Sequence, residues 1–299
     1  MRILLSGAGG FIGSALRRAL RQAGHDVSAL SRSAPTDSSA VRWDPATGEL
    51  DPAALEGFDA VVHLAGEGIG DRRWNEAHKR RVRESRIQGT TLLSRKLAEA
   101  KEPPSVLLAA SAIGYYGDRG GEILIESAPA GGGFLAGVVQ AWEESTAPAR
   151  DAGIRVVTMR SGLVLDGGGG VLKRQLIPFR LGVGGKLGAG RQYWSWITLE
   201  DEVRAMQHLL EADVSGAVNL TAPNPVTNAE FTTAVGRVLS RPTLLSVPPI
   251  ALEVLLGKEM ATELLFFSQR VVPSKLEGSG FHFRHPELEP ALRAVLGRP

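Results

Sequence analysis

Ile3-Leu4-Leu5-Ser6-Gly7-Ala8-Gly9-Gly10-Phe11-Ile12-Gly13 is the stretch whose reading decides the fold. A short continuous apolar run reads as a strand buried on both faces. Three regularly spaced glycines then form a turn, and apolar residues at helical spacing run from about Ile12 to Gln22. In this strand–turn–helix order Gly7 allows the tight turn, Gly10 leaves room for a pyrophosphate against the backbone, and Gly13 permits close helix–strand packing. The opening amides of the helix and the positive end of its dipole then face the phosphates. The turn therefore predicts dinucleotide binding by Gly7, Gly9, Gly10, Phe11, Ile12 and Gly13.

Outward from this turn, apolar strands alternate with amphipathic helices. Val27–Leu30, Ala60–Leu64, Val106–Ala110 and Ile154–Met159 read as strands, with helices over about 75–100 and 135–151. Buried strands separated by helices predict an α/β fold, a Rossmann-type doubly wound parallel sheet. Beyond Arg160 the rhythm gives way to glycine-rich segments and prolines, which predicts a smaller, irregular C-terminal lobe. The expected division is a dinucleotide domain over 1–165, rejoined by 190–222, and a substrate-side lobe over 166–189 and 223–299.

Composition narrows the chemistry. The 299 residues carry a net charge of +2 and no long run of like charge, which argues against a nucleic-acid partner. The absence of cysteine excludes disulfides, thiolate catalysis and Cys-ligated zinc, and the six histidines show no i,i+4 pair, so no metal is expected. No run reaches the ~18 apolar residues of a membrane span, and the apolar start is too short for a signal sequence. A cytoplasmic protein is expected, its oligomeric state left open.

Further strings narrow the reading: HLAGEGIGDRRWNEAHKRRVRESRIQGT (63–90), SAIGYYG (111–117), WE (142–143), RSGLVLDGGGG (160–170), YWSWITLEDEV (193–203) and a tail over 248–296. With the glycine turn they resemble an atypical branch of the extended short-chain dehydrogenase/reductase superfamily, the "epimerase family", which ends in a small uncharacterised domain. The resemblance implies an NAD(P)-binding, epimerase/dehydratase-like oxidoreductase. At the end of the second strand, where an NAD site places an acid, stand Ser31 and Arg32; a guanidinium and hydroxyls suit a 2′-phosphate, so NADP(H) is the expected cofactor. The alternative has Arg32 at the surface and Asp37 or Asp44 on the ribose. Resemblance also places Leu64, Ala65 and Gly66 along the adenine-side ribose and pyrophosphate and Val164 at the nicotinamide. The basic run Lys79 to Arg86 reads mostly as a solvated helix face, with Arg86, and secondarily Arg81, aimed inward at the cofactor.

The reacting end departs from the pattern. Active relatives use a Tyr-x-x-x-Lys pair, in which the ammonium lowers the phenol's pKa. Phe134 and Val138 stand in those places here, and Arg86 replaces a helix Asn. Ser111 survives as a hydroxyl able to hold a substrate oxygen. Tyr116, or else Tyr115, is the candidate phenol, Tyr116 being preferred because Tyr116-Gly117 matches relatives; both have packing as their alternative role. Two functions follow: an NADP(H)-dependent oxidoreductase or epimerase acting on a small hydroxyl or carbonyl compound, or a non-catalytic NADP(H)-binding redox sensor.

Overall fold

The computed structural model describes residues 1–32 and 40–298. The chain opens with β1 (Arg2–Ser6), α1 (Phe11–Gln22), β2 (Asp26–Ser31), β3 (Ala40–Arg42), β4 (Ala60–His63), α2 (Glu76–Glu99) and β5 (Val106–Ala112). With the later strands Arg155–Ser161 and Gly216–Leu220 these build a seven-stranded sheet, ordered Gly216–Leu220, Arg155–Ser161, β5, β4, β1, β2, β3. The expected doubly wound sheet is present. Ile3, Leu4, Leu5, Ala60, Val61, Val62, Val106, Leu107 and Leu108 are all fully buried, which is why these strands read as unbroken apolar runs. β1 lies between β2 and β4 in parallel register, Ser6 pairing with Leu30 on one side and with His63 on the other.

The helices follow their sequence signals. In α2 the Asn75 side chain accepts the His78 amide at 2.8 Å and starts the helix. Its buried face runs through His78, Val82, Arg86, Gly89, Thr90, Leu93 and Leu97, the three-to-four spacing of one helical stripe. The single helix expected over 135–151 is instead α3 (Phe134–Glu144) followed by a short helix Ala147–Asp151. Pro148 explains the break: it has no N–H to donate to the carbonyl of Glu144, its ring crowds that carbonyl, and it is accommodated in the first turn of the second helix instead.

The chain divides into two compact units. The first comprises 1–111, 138–159 and 203–218, the second 112–137, 160–202 and 219–299. The boundary thus differs from the expected one: 112–137 and 160–165 belong to the second unit, and the segment that rejoins the first is 203–218. In the second unit Leu165, Leu172, Phe179, Trp196, Phe231, Val235 and Leu292 form one core. Fully buried Asp201 accepts the amides of Arg284 at 2.9 Å and His285 at 2.8 Å, so it ties down the tail as well as standing at a helix start. No helix among the described residues is long and apolar enough to cross a membrane.

Candidate functional site: a glycine cradle and a serine–glutamate pair

The glycine turn is built so tightly that side chains are excluded. Gly7 has φ +68°, and a Cβ there would lie 2.9 Å from the Leu64 carbonyl carbon and oxygen. A Cβ on Gly13 would lie 2.1 Å from the Gly7 carbonyl oxygen. Gly13 therefore packs against the turn itself. Gly10 closes the turn, its amide donating to the Gly7 carbonyl at 2.9 Å, while a Cβ on Gly9 would meet nothing within 4 Å. No side chain caps α1 at Gly10 and its first turn holds no acid, so the amides of Phe11, Ile12 and Gly13 form an uncapped, positively polarised end.

Sheet register brings the other predicted contacts to this turn. Because Ser6 pairs with both Leu30 and His63, Ser31-Arg32 leaves β2 on one flank of the turn and Leu64-Ala65-Gly66 leaves β4 on the other. Arg32 is exposed and Ser31 half-buried. Of the acids weighed against Arg32, Asp44 uses its carboxylate to accept the Ala46 amide at 2.9 Å within its own turn, and Asp37 lies outside the described residues.

A buried polar chain fixes the β4 flank. The Ser6 hydroxyl oxygen accepts the amides of Leu64 at 3.0 Å and Ala65 at 3.2 Å, leaving its proton for His63 Nδ1 at 2.7 Å. Burial lowers the His63 pKa to about 4, so the ring is neutral and its Nε2 proton points to Thr90 Oγ1 at 3.1 Å. Thr90 also accepts the Trp142 indole N–H at 2.9 Å.

Arg86 is nearly buried, at 8% exposure, and donates to the Glu67 carbonyl at 2.9 Å and the Val82 carbonyl at 3.1 Å while stacking over the Trp142 ring. Burial lowers its pKa to about 10, with Glu67 opposing, which leaves it charged at neutral pH. Its guanidinium backs Gly66, where a Cβ would lie 3.6 Å away. Arg81 is exposed and reaches Glu67 at 4.0 Å. Val164 lies in the second unit, half-buried, pairing with Ile197 in the two-stranded sheet of Leu163–Leu165 and Trp196–Thr198.

At the reacting end the two tyrosines differ in exposure. Tyr116 is fully buried; its hydroxyl donates to Asn219 Oδ1 at 2.7 Å and accepts from Arg160 at 3.0 Å. Burial pushes the phenol pKa up, with Arg160 and Asn219 opposing. A phenol so enclosed ties together elements of the second unit. Tyr115 is half-buried, its ring under the Arg160 guanidinium at 3.4 Å. Ser111, 5% exposed, donates to Glu143 Oε1 at 2.6 Å, a pairing the sequence reading did not make. Phe134 and Val138 are half-buried and buried apolar residues; the amides of Phe134 and Leu135 donate to the Glu263 carboxylate at 2.7 and 2.8 Å, which caps α3 from the tail. Among the described residues no group of three or more His, Asp or Glu side chains gathers to hold a metal.

Comparison with known proteins places this geometry. The family model described as "NAD dependent epimerase/dehydratase family" matches residues 3–221. The chain belongs to that family. A second model, "Domain of unknown function (DUF1731)", matches 247–295, the tail read above as the branch-specific segment. The chain is 48% identical to "Epimerase family protein Mb2239" of Mycobacterium bovis, over 99% of this chain and 98% of that protein. It is similar to the crystal structure of human epimerase family protein SDR39U1 with NADPH, at 35% identity, TM-score 0.91 and 99% coverage of both chains. It also resembles a nucleoside-diphosphate sugar epimerase from Corynebacterium glutamicum, at 35% identity and TM-score 0.82, covering 99% of this chain and 58% of that one. Within this family fold, the atoms nearest the cradle glycines Gly7 and Gly13 belong to residues 7, 8, 64 and 65. The Ser111–Glu143 pair joins positions 32 residues apart, on β5 and α3.

Proposed function

We propose that this chain binds NADP(H) in the cradle between β1 and α1 and acts as an oxidoreductase or epimerase-like enzyme on a small hydroxyl or carbonyl compound. The observation that carries the reading is the exclusion of any side chain at Gly7 and Gly13 beside an uncapped helix end. Such a cradle lets backbone amides come close to a diphosphate, and an alanine at Gly7 or Gly13 would not fit it. The NADPH in the human relative's structure supports the same cofactor. Phe11, Ile12 and Gly13 would hold the diphosphate by their amides, Leu64 to Gly66 would lie against the adenine-side ribose, and Ser31 with Arg32 would take the 2′-phosphate. When bound, the nicotinamide supplies hydride acceptance and donation. Ser111 would hold the substrate oxygen. With Tyr116 enclosed, Tyr115 is the remaining phenol of the expected pair. The apolar Phe134 and Val138 favour the rival reading, a non-catalytic redox sensor; turnover of any carbonyl compound decides against it.

Arg32→Ala tests the cofactor assignment. Loss of a charge-assisted pair with the 2′-phosphate is expected to weaken NADPH binding roughly 10- to 100-fold, with NADH binding changed less than threefold. Calorimetric titration of both dinucleotides reads the difference, and equal losses remove Arg32 from the site.

A further inference from the structure

We infer that Glu143 is the proton acceptor behind Ser111, standing in for the absent Tyr-x-x-x-Lys pair; this rests on the enzyme reading above. The missing pair leaves α3 without a phenol or an ammonium, yet the same helix delivers a carboxylate to the surviving hydroxyl. The 2.6 Å separation falls in the short range of a hydroxyl donating to an ionised carboxylate. Glu143 lies nine residues beyond Phe134, about 13 Å along the helix axis, so it approaches Ser111 from a different place than a family tyrosine would. Glu143 thereby fixes the direction of the Ser111 proton. With that proton turned toward the carboxylate, the oxygen's lone pairs are left to accept from a substrate hydroxyl.

The transfer balances. In oxidation, a bound nicotinamide dinucleotide would supply the acceptor for the substrate C–H electron pair as hydride, and the C–O bond would become a carbonyl. The substrate O–H proton passes to Ser111 Oγ as the serine proton passes to Glu143, which ends as a carboxylic acid. Reduction runs the same route backward. Around the pair, β5 carries no titratable side chain over Val106–Ala112, Arg86 of α2 stacks over the adjacent Trp142, and Glu144 on α3 is exposed.

The test uses the full chain with Glu143→Gln, Glu143→Asp and Ser111→Ala. NADPH oxidation is followed with a panel of aldehydes and 1,2-diketones, beside infrared spectra of the dinucleotide-free protein. Glu143→Gln is expected to lower kcat a hundredfold or more, with KM and NADPH affinity within about threefold and the pH dependence of the rate flattened. Glu143→Asp should recover part of the rate. In the infrared, the carboxylate band isolated by subtracting the Glu143→Gln spectrum should move when Ser111→Ala removes the hydroxyl. A band that stays put, or a Glu143→Gln enzyme within twofold of wild type, overturns the inference while leaving the enzyme reading intact. Absence of turnover by the wild-type protein across the panel overturns both.

Discussion

Gly13→Ala is expected to reduce NADPH affinity at least a hundredfold and to destabilise the protein by several kcal/mol. The added Cβ would stand 2.1 Å from the Gly7 carbonyl oxygen and 2.9 Å from its carbonyl carbon. Both are backbone atoms, so no flexible side chain can swing aside. Either α1 slides or the turn opens, and either movement displaces the amides of Phe11 to Gly13. Overpacking a tight site costs about 1–3 kcal/mol and occasionally more. Gly9→Ala is the internal control for folding, because its Cβ would meet nothing within 4 Å and its φ is not left-handed. Its melting temperature should stay within about 2 °C of wild type, in line with an unremarkable exposed substitution. Thermal melts with calorimetry on both variants check the pair; a Gly13→Ala protein with wild-type affinity would show that the cradle has slack the geometry denies.

Glu202→Gln is expected to abolish a loss of stability that the wild-type protein suffers as pH rises. Glu202 is fully buried, its Oε1 accepting from Ser161 at 2.6 Å and its Oε2 without a hydrogen-bond partner among the described residues. Burial raises its pKa from 4.5 to about 8, with the Ser161 hydrogen bond opposing. The folded chain therefore keeps a proton that the unfolded chain releases above pH 4.5. The stability this group contributes is complete below 4.5, declines as pH rises, and is lost through pH 8. His63 has the opposite sign: with a pKa lowered from 6.5 to about 4, its contribution is present above pH 6.5 and lost on acidification. The window from pH 6.5 to 8 isolates Glu202. There wild type should lose about 2 kcal/mol, at ~1.4 kcal/mol per pH unit, while the glutamine variant loses none. For a chain of this size that is a relative shift of roughly 3 °C in melting temperature. Melting curves of the two proteins that stay parallel across the window would place the Glu202 proton elsewhere.

What the sequence made legible was local. The glycine turn, the strand before it and the helix after it lie within 22 residues, and each residue type there has one dominant physical reason to be present. β4 and β5 were legible because strands buried on both faces are unbroken apolar runs. The α3 break was readable in principle from Pro148. The pairings across the chain were not. Glu143 stood in a motif noted as Trp142-Glu143, yet only the packing of α3 on β5 aims it at Ser111. The preference for Tyr116 over Tyr115 rested on a local match, and its burial against Asn219, 103 residues away, has no local signal. The α3 cap by Glu263 spans 129 residues to Phe134, and no local signal announces it. The division into units is also not local, since 112–137 and 160–165 continue directly from sheet strands yet cluster with the second unit.

The central claim is that backbone amides at the start of α1, beside glycines that admit no side chain, grip a dinucleotide diphosphate. Titrating the purified chain with NADPH and NADH by calorimetry addresses it most directly. Saturable one-to-one binding is predicted, with NADPH the tighter by about tenfold or more through Arg32. No heat and no fluorescence change with either dinucleotide would contradict it.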